Sequence, residues 1–88
     1  MSTKKTRTYS LTILSRGSNS RFAQITTTNM NELRKILCKK YKGCQVDVYG
    51  KTKFLGFMNV EVFGKGDYTW HTANGAWDVN PDTGRVIS

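Results

Sequence analysis

The sequence is poor in the residues that build catalytic and metal centres. Its 88 residues include two cysteines, one histidine and six carboxylates. A structural zinc site needs about four ligands, which two cysteines and one distant histidine do not supply. The carboxylates Glu61, Asp67, Asp78 and Asp82 are scattered along the second half. No two of them are spaced for acid–base work or for a hard cation, so we expect neither a metal nor another cofactor.

The single histidine, His71, falls in a predicted strand between Trp70 and Thr72. A general base needs an orienting acid and a nucleophile nearby. Asp78 could approach His71 across a predicted hairpin, and Cys38 is a conceivable nucleophile, but the spacing does not require either pairing. The glycines lie in turns rather than before a helix N-terminus, so no phosphate-binding loop is predicted. We expect a protein that is not an enzyme, with catalysis by Cys38 or His71 as the alternative.

Long apolar runs are also lacking. None approaches the length of a membrane span, and the basic opening MSTKKTRTYS is followed by no apolar signal core. We therefore expect a cytoplasmic protein, in its own cell or in a bacterial host cell, with reduced cysteines. Cys44 is interpreted as a small core residue and Cys38 as part-buried. The length predicts one domain over residues 7–88, preceded by a flexible basic arm over residues 1–6.

Positive charge is abundant and unevenly distributed. The net charge is +8, yet residues 1–44 hold ten Lys or Arg and one acid, and residues 45–88 hold four and five. Seven of the ten aromatic residues lie in the second half. This asymmetry favours a sheet-rich core whose helix and N-terminal arm face an anionic partner. The alternative is a charge that only keeps the domain soluble.

One segment, Asn29 to Gly43, predicts an amphipathic helix. Asn29 suits the N-cap with Glu32 as its capping-box partner, and Gly43 suits a helix end of positive φ. One face is apolar at the 3.6-residue period: Met30, Leu33, Ile36, Leu37 and Tyr41. The opposite face is polar and mostly basic, with Arg34 on its flank. We expect the apolar face to cover a sheet. The lysines of the last turn have a partly structural role, because cations suit a helix C-terminus.

Alternating apolar and polar residues predict the strands. They cover residues 7–14, 21–27, 44–49, 54–63, 68–73, 76–79 and 85–87, with a two-residue hairpin turn at Asn74-Gly75 and a bulge or close backbone approach at Gly56. The short links predict a mainly antiparallel, meandering sheet with one helix packed on it. The predicted class is therefore α+β, two-layered, with the order β-β-α-β-β-β-β.

Basic residues with interleaved aromatics provide the strongest functional signal. Such cations favour binding to a phosphate backbone, because they release the counterions condensed on it. The candidates for binding nucleic acid or an acidic partner are Lys4, Lys5, Arg7, Arg16, Arg21, Arg34, Lys35, Lys39, Lys42, Lys51 and Lys53. The candidates for base stacking or a protein interface are Tyr49, Phe57 and Phe63, each predicted to face away from the neighbouring valines. The alternative places these aromatics in a second small core with Trp70 and Trp77.

In general type, a small and strongly basic α+β chain of this kind resembles the accessory proteins of bacteriophages and mobile elements, a group that includes anti-CRISPR proteins. The resemblance implies inhibition of a host defence nuclease, by contact with the nuclease or its guide RNA, and implies no role for any single residue. Our leading hypothesis is a non-enzymatic protein that binds nucleic acid or a nucleic-acid-bound protein. The second is a protein-interaction or homodimerisation module that uses an aromatic sheet face.

Overall fold

One antiparallel sheet dominates the computed structural model, which describes residues 6–15, 17, 19–62 and 67–87. The elements are β1 (Arg7–Ser15), β2 (Arg21–Thr27), α1 (Met30–Lys40), β3 (Cys44–Tyr49), β4 (Phe54–Val60), β5 (Tyr68–Thr72), β6 (Gly75–Val79) and β7 (Val86–Ile87). The spatial order is β2-β1-β3-β4-β5-β6-β7, with every neighbouring pair antiparallel. The predicted α+β class is confirmed. Five strands follow the helix, matching the five segments predicted after it, whereas the predicted order β-β-α-β-β-β-β counts only four of them.

The helix begins where the capping pattern predicts. The Asn29 side chain accepts a hydrogen bond of 2.8 Å from the backbone N–H of Glu32, which satisfies one of the unpaired donors of the first turn. Regular helix ends at Lys40, with Tyr41 as the cap. Gly43 has the expected positive φ, +81°, and lies in the link to β3.

In the part of the chain that the structure describes, one apolar cluster joins α1 to one face of the sheet, here called the inner face. The alternation predicted for β1 and β3 holds, because their alternate residues Tyr9, Leu11, Ile13, Cys44, Val46 and Val48 are buried. From the helix, Leu33, Leu37 and Cys38 join the same cluster. Cys38 is 1% exposed, so its thiol is fully buried rather than part-buried.

Gly56 marks both a bulge and a close approach, as the sequence predicts. Val48 pairs with Gly56 and Tyr49 pairs with Phe54, so the extra residue of the bulge is Leu55. A Cβ on Gly56 would overlap the carbonyl oxygen of His71 and lie 2.9 Å from the Trp70 ring. The bulge turns Phe54 to the same face as Tyr49.

Several predicted segment bounds differ from the structure, most clearly at the turn between β5 and β6 and at the end of β4. The two-residue turn between β5 and β6 is Ala73-Asn74, and Gly75 belongs to β6, opposite Thr72. The Thr72 hydroxyl accepts from the N–H of Asn74 at 3.1 Å, a local bond that holds the turn one residue earlier than predicted. The strand expected over residues 54–63 ends at Val60.

The last turn packs directly on the helix. The N–H of Gly84 donates to Asn80 O at 2.7 Å, and Gly84 has φ +75°. A Cβ on Gly84 would overlap the Asn31 carbonyl and lie 2.7 Å from the Lys35 nitrogen. Only glycine lets the turn approach the helix this closely.

Candidate nucleic-acid interface

An open groove crosses the face of the sheet away from the cluster, here called the outer face. This aromatic groove has a volume of about 640 Å³ and is lined by Ser10, Leu11, Thr12, Phe22, Ala23, Gln24 and Tyr49. Its floor contains the small side chains of Ser10 and Thr12, which the register sets beside Tyr49 and Phe22 respectively. The strands carrying Phe22 and Tyr49 flank β1, so they run about 10 Å apart.

The aromatic side chains of this region are exposed. Phe22 is 82% exposed, Phe54 is 50% and Tyr49 is 36%. The rings of Tyr49 and Phe54 meet edge to face, with centroids 5.2 Å apart, an arrangement aromatic pairs favour. Phe22 and Phe54 were not among the predicted interface residues. For Phe54, the only sequence signal was Gly56, since simple alternation points the Phe54 ring inward and the bulge reverses it.

A second groove, here called the basic groove, lies between the start of β1 and the turn from β3 to β4. It has a volume of about 590 Å³ and is lined by Thr6, Arg7, Thr8, Tyr9, Gly50, Lys51, Thr52, Lys53 and Leu55. Three predicted cations, Arg7, Lys51 and Lys53, are exposed here, around a partly apolar wall. Consecutive residues, Tyr49 and Gly50, line the two grooves, so the grooves are linked along the chain at the end of β3. Strand alternation sets Arg7 and Tyr9 on the inner face and Tyr49 on the outer face, so a ligand of both grooves must pass around this end of the sheet.

Of the predicted cations that the structure describes, four more lie elsewhere and a fifth, Arg34, is buried. Lys39 and Lys42 are exposed and Lys35 is half-buried on or just after α1, which covers the inner face. Arg21 is exposed and pairs in register with Ile13, an inner-face residue toward the other end of β1. The predicted basic set is therefore divided between the basic groove and the helix side of the molecule.

Arg34 was predicted to belong to the basic binding surface, and the structure shows that it does not. It is 7% exposed. Its Nε donates to the Gly84 carbonyl at 2.7 Å, its Nη2 donates to the Asn31 side chain, and its guanidinium lies 5.6 Å from the centroid of the Trp70 ring. These contacts occupy the group that a phosphate would need. Burial lowers the pKa of Arg34, and the nearby Cys38 opposes that shift. Arg34 joins helix, turn and sheet.

Phe57 contributes less open surface than predicted. It is half-buried, and its ring stacks on His71 with centroids 4.5 Å apart and planes 4° apart. Nε2 of His71 lies 3.1 Å from Nδ2 of Asn59 and 2.9 Å from the Thr69 hydroxyl. One side of the Phe57 ring is thus covered from within the sheet, which leaves Tyr49 as the predicted aromatic with an open groove beside it.

The two residues of the catalytic alternative lie on opposite faces. Cys38 is in the inner cluster, whereas His71 stacks on Phe57 on the outer face. Register sets Ala76, rather than Asp78, opposite His71. Burial raises the pKa of the Cys38 thiol to about 11, and Glu61 adds to the rise while Arg34 opposes it. The thiol is therefore protonated at neutral pH, the opposite of what a nucleophilic cysteine requires.

Four predicted binding residues, Lys4, Lys5, Arg16 and Phe63, lie outside the described residues, as does most of the predicted arm over residues 1–6. Within the described ranges, no cluster of His, Cys, Asp or Glu could hold a metal ion. No helix in the described part of the chain is long and apolar enough to cross a membrane. Comparison of the chain with protein-family models, curated proteins and solved structures gave no match.

Proposed function

We propose that this protein is a non-enzymatic binder of single-stranded nucleic acid, with unpaired bases in the aromatic groove and the phosphate backbone in the basic groove. One observation carries the proposal: consecutive residues of the chain, Tyr49 and Gly50, line the two grooves. Aromatic rings that stack on bases beside cations that follow the backbone are the shared design of sequence-tolerant single-strand binders.

The exposed rings supply the attraction to bases. Each base stacked on an aromatic side chain contributes about 1–3 kcal/mol, and Phe22, Tyr49 and Phe54 present such rings on one face. Their neighbours Ser10 and Thr12 are small, so no bulky side chain fills the groove between Phe22 and Tyr49. A duplex hides its bases from such a surface, which is why unpaired strands are the proposed ligand.

The charged side chains set the direction in which the bound nucleic-acid strand runs. Lys51, Lys53 and Arg7 give the end of the molecule beyond Tyr49 a positive surface. Asp47 borders the aromatic groove, because it pairs with Thr12 of the groove floor and with Phe57, and farther across the outer face Asp78 pairs with Thr69. These carboxylates repel phosphate, so the backbone is proposed to leave the aromatic groove over the turn from β3 to β4.

The helix side remains part of the proposal in a secondary role. Lys35, Lys39 and Lys42 are carried by α1 and the link after it, and α1 packs in the inner-face cluster, away from the aromatic groove. They would meet a separate stretch of nucleic acid or the acidic surface of a nucleic-acid-bound protein. The resemblance in type to anti-CRISPR proteins extends the proposal to inhibition of a host defence nuclease, by competition for its nucleic acid.

Fluorescence anisotropy with a labelled single-stranded oligonucleotide tests the proposal. We expect affinity to fall steeply with salt, and the double variant Lys51→Gln/Lys53→Gln to reduce the salt slope by about 0.7 for each phosphate that is no longer neutralised. Phe54→Ser should weaken binding about fivefold to a hundredfold with an unchanged salt slope, because it removes stacking rather than charge.

Ile87→Ser is the matched control for the stacking variant. Ile87 and Phe54 are each 50% exposed, but Ile87 lies in β7 at the distant edge of the sheet. Its replacement should leave affinity unchanged. Salt-independent binding, equal effects of the two serine variants, or tighter binding to a duplex would refute the proposal.

A protein-interaction or homodimerisation role for the outer face is the second candidate, favoured by the 82% exposure of Phe22. An exposed apolar patch of this kind is typical of partner surfaces. In this case Phe22→Ser should reduce association with a protein partner or a second copy, measured by light scattering, and should have no effect on oligonucleotide binding.

A further inference from the structure

One edge of the sheet is long, regular and unprotected. In the described part of the chain β2 pairs only with β1, so its other side is an edge. The seven residues of β2 match β1 without a register shift. At the opposite edge, β7 has two residues. Natural sheets protect their edges with short strands, bulges, proline or lysine. β7 is short, whereas β2 has none of these devices, and Arg21 at its start is its only charged residue.

The strand is complementary to itself. Antiparallel pairing about a two-fold axis through Gln24 sets Gln24 opposite Gln24 of a second copy and Arg21 opposite Thr27 of that copy. This register pairs all of Arg21–Thr27. It matches odd positions with odd and even with even, so the backbone groups that point outward from one edge meet those that point outward from the other.

The side chains suit the same register. Phe22 would pack across from Thr26 of the second copy, and Ala23 across from Ile25. Aromatic and β-branched residues are favourable cross-strand partners. The two Arg21 side chains would lie at opposite ends of the paired strands, about 20 Å apart at ~3.4 Å per residue. That exceeds the screening length of about 8 Å at physiological salt, so the junction brings no like charges together.

We propose that the protein forms a two-fold symmetric homodimer in which β2 pairs with β2 of a second copy, centred on Gln24. The two sheets become one, and both aromatic grooves face the same side, because the axis of an antiparallel strand pair is perpendicular to the sheet. The dimer rests on the backbone edge of β2, although Phe22, Ala23 and Gln24 also line the aromatic groove. The two proposals are separated by Phe54, which the dimer does not use.

Cysteine crosslinking tests directly the register in which β2 pairs with β2 of the second copy. Gln24→Cys sets two thiols on directly opposite residues, with Cα atoms about 4.5–5.5 Å apart, within the range a disulfide spans. Thr26→Cys is the matched control on the same face of the same strand, also exposed. Its two copies would be about 13 Å apart along the strands, too far for a disulfide. The native Cys38 and Cys44 are buried and are retained in both variants.

Under mild oxidation we expect Gln24→Cys to form a covalent dimer on a non-reducing gel, and Thr26→Cys to remain uncrosslinked. In sedimentation equilibrium the unmodified protein should dimerise. Gln24→Lys should raise the dissociation constant about fivefold, because like charges then lie directly opposite. Thr26→Lys should not, because its lysine meets Phe22 of the other copy.

Any of three results would overturn the proposal. These are a monomer at the highest soluble concentration, equal crosslinking of the two cysteine variants, and pairing of β2 with a strand of another protein in place of a second copy. Loss of oligonucleotide binding in Phe54→Ser without loss of the dimer would leave it standing, so the two proposals fail separately.

Discussion

Replacing Gly84 with alanine should undock the last turn from the helix. Gly84 is buried and has φ +75°. An alanine Cβ there would overlap the Asn31 carbonyl oxygen and lie 2.7 Å from the Lys35 nitrogen. Both are backbone atoms of the helix, so neither can yield by a side-chain rotation. The turn must move, and the 2.7 Å hydrogen bond from Arg34 to the Gly84 carbonyl goes with it.

Gly43 provides a control that isolates this effect. Its φ is +81°, close to that of Gly84, but nothing lies within 4 Å of its Cβ position. Alanine at either site lowers the free energy of unfolding by about 1–2 kcal/mol, because its backbone is left-handed there. It restores about 0.4–1 kcal/mol, because the unfolded chain becomes less flexible. Gly84→Ala additionally loses a charge-assisted hydrogen bond, about 1.5–3 kcal/mol. We therefore expect it to be about 2–3 kcal/mol less stable than Gly43→Ala.

Urea unfolding followed by tryptophan fluorescence measures the difference. Trp70 is buried and lies next to Arg34, so it reports directly on this region. Small domains have about 5–15 kcal/mol of stability, and both variants should retain a measurable folded baseline. Free energies of unfolding that agree to within about 0.5 kcal/mol would refute the reasoning, because the close approach of turn and helix would then contribute nothing.

Arg34→Met should lower the free energy of unfolding by about 1–3 kcal/mol, since the Gly84 carbonyl loses its donor. It should leave the salt slope of oligonucleotide binding unchanged, and a reduced slope would mean that Arg34 contacts the nucleic acid. Gly56→Ala should cost about 2 kcal/mol or more in urea unfolding, because its Cβ overlaps His71 and crowds Trp70, and a cost equal to that of Gly43→Ala would contradict the close approach. Because burial raises the pKa of Cys38 from 9.0 to about 11, the folded protein keeps a proton that the unfolded chain loses. The contribution of the protonated Cys38 thiol to the free energy of unfolding is therefore complete below pH 9 and is lost as pH rises through about 11. Cys38→Ala should flatten this fall in the free energy of unfolding, measured by denaturation curves across this pH range. An unchanged fall would show that other groups cause it.

Local patterns in the sequence predict much of the fold. Alternation alone predicts the buried residues of β1 and β3, because a strand exposes successive side chains to opposite faces. The capping role of Asn29 follows from three residues of local geometry. Each of these features depends on neighbours along the chain, and each appears in the structure as predicted.

Arg34 and Phe54 show where local reasoning fails. Helical periodicity sets Arg34 on the flank of a basic face, but Gly84, fifty residues away, buries it by docking. Alternation points the Phe54 ring inward, but the extra residue at Leu55 reverses its direction. Both outcomes depend on how closely one backbone approaches another, which no periodicity encodes.

The amino-acid sequence by itself determined the α+β class, the helix start, the inner-facing residues of β1 and β3, and the excess of positive charge. Only the tertiary structure decided which cations share a surface, which aromatics are open, and that β2 is an edge. The physical reason is range: strand alternation and capping act over a few residues. Register, bulges and docking join residues far apart in the chain and are set by the packing of the whole domain.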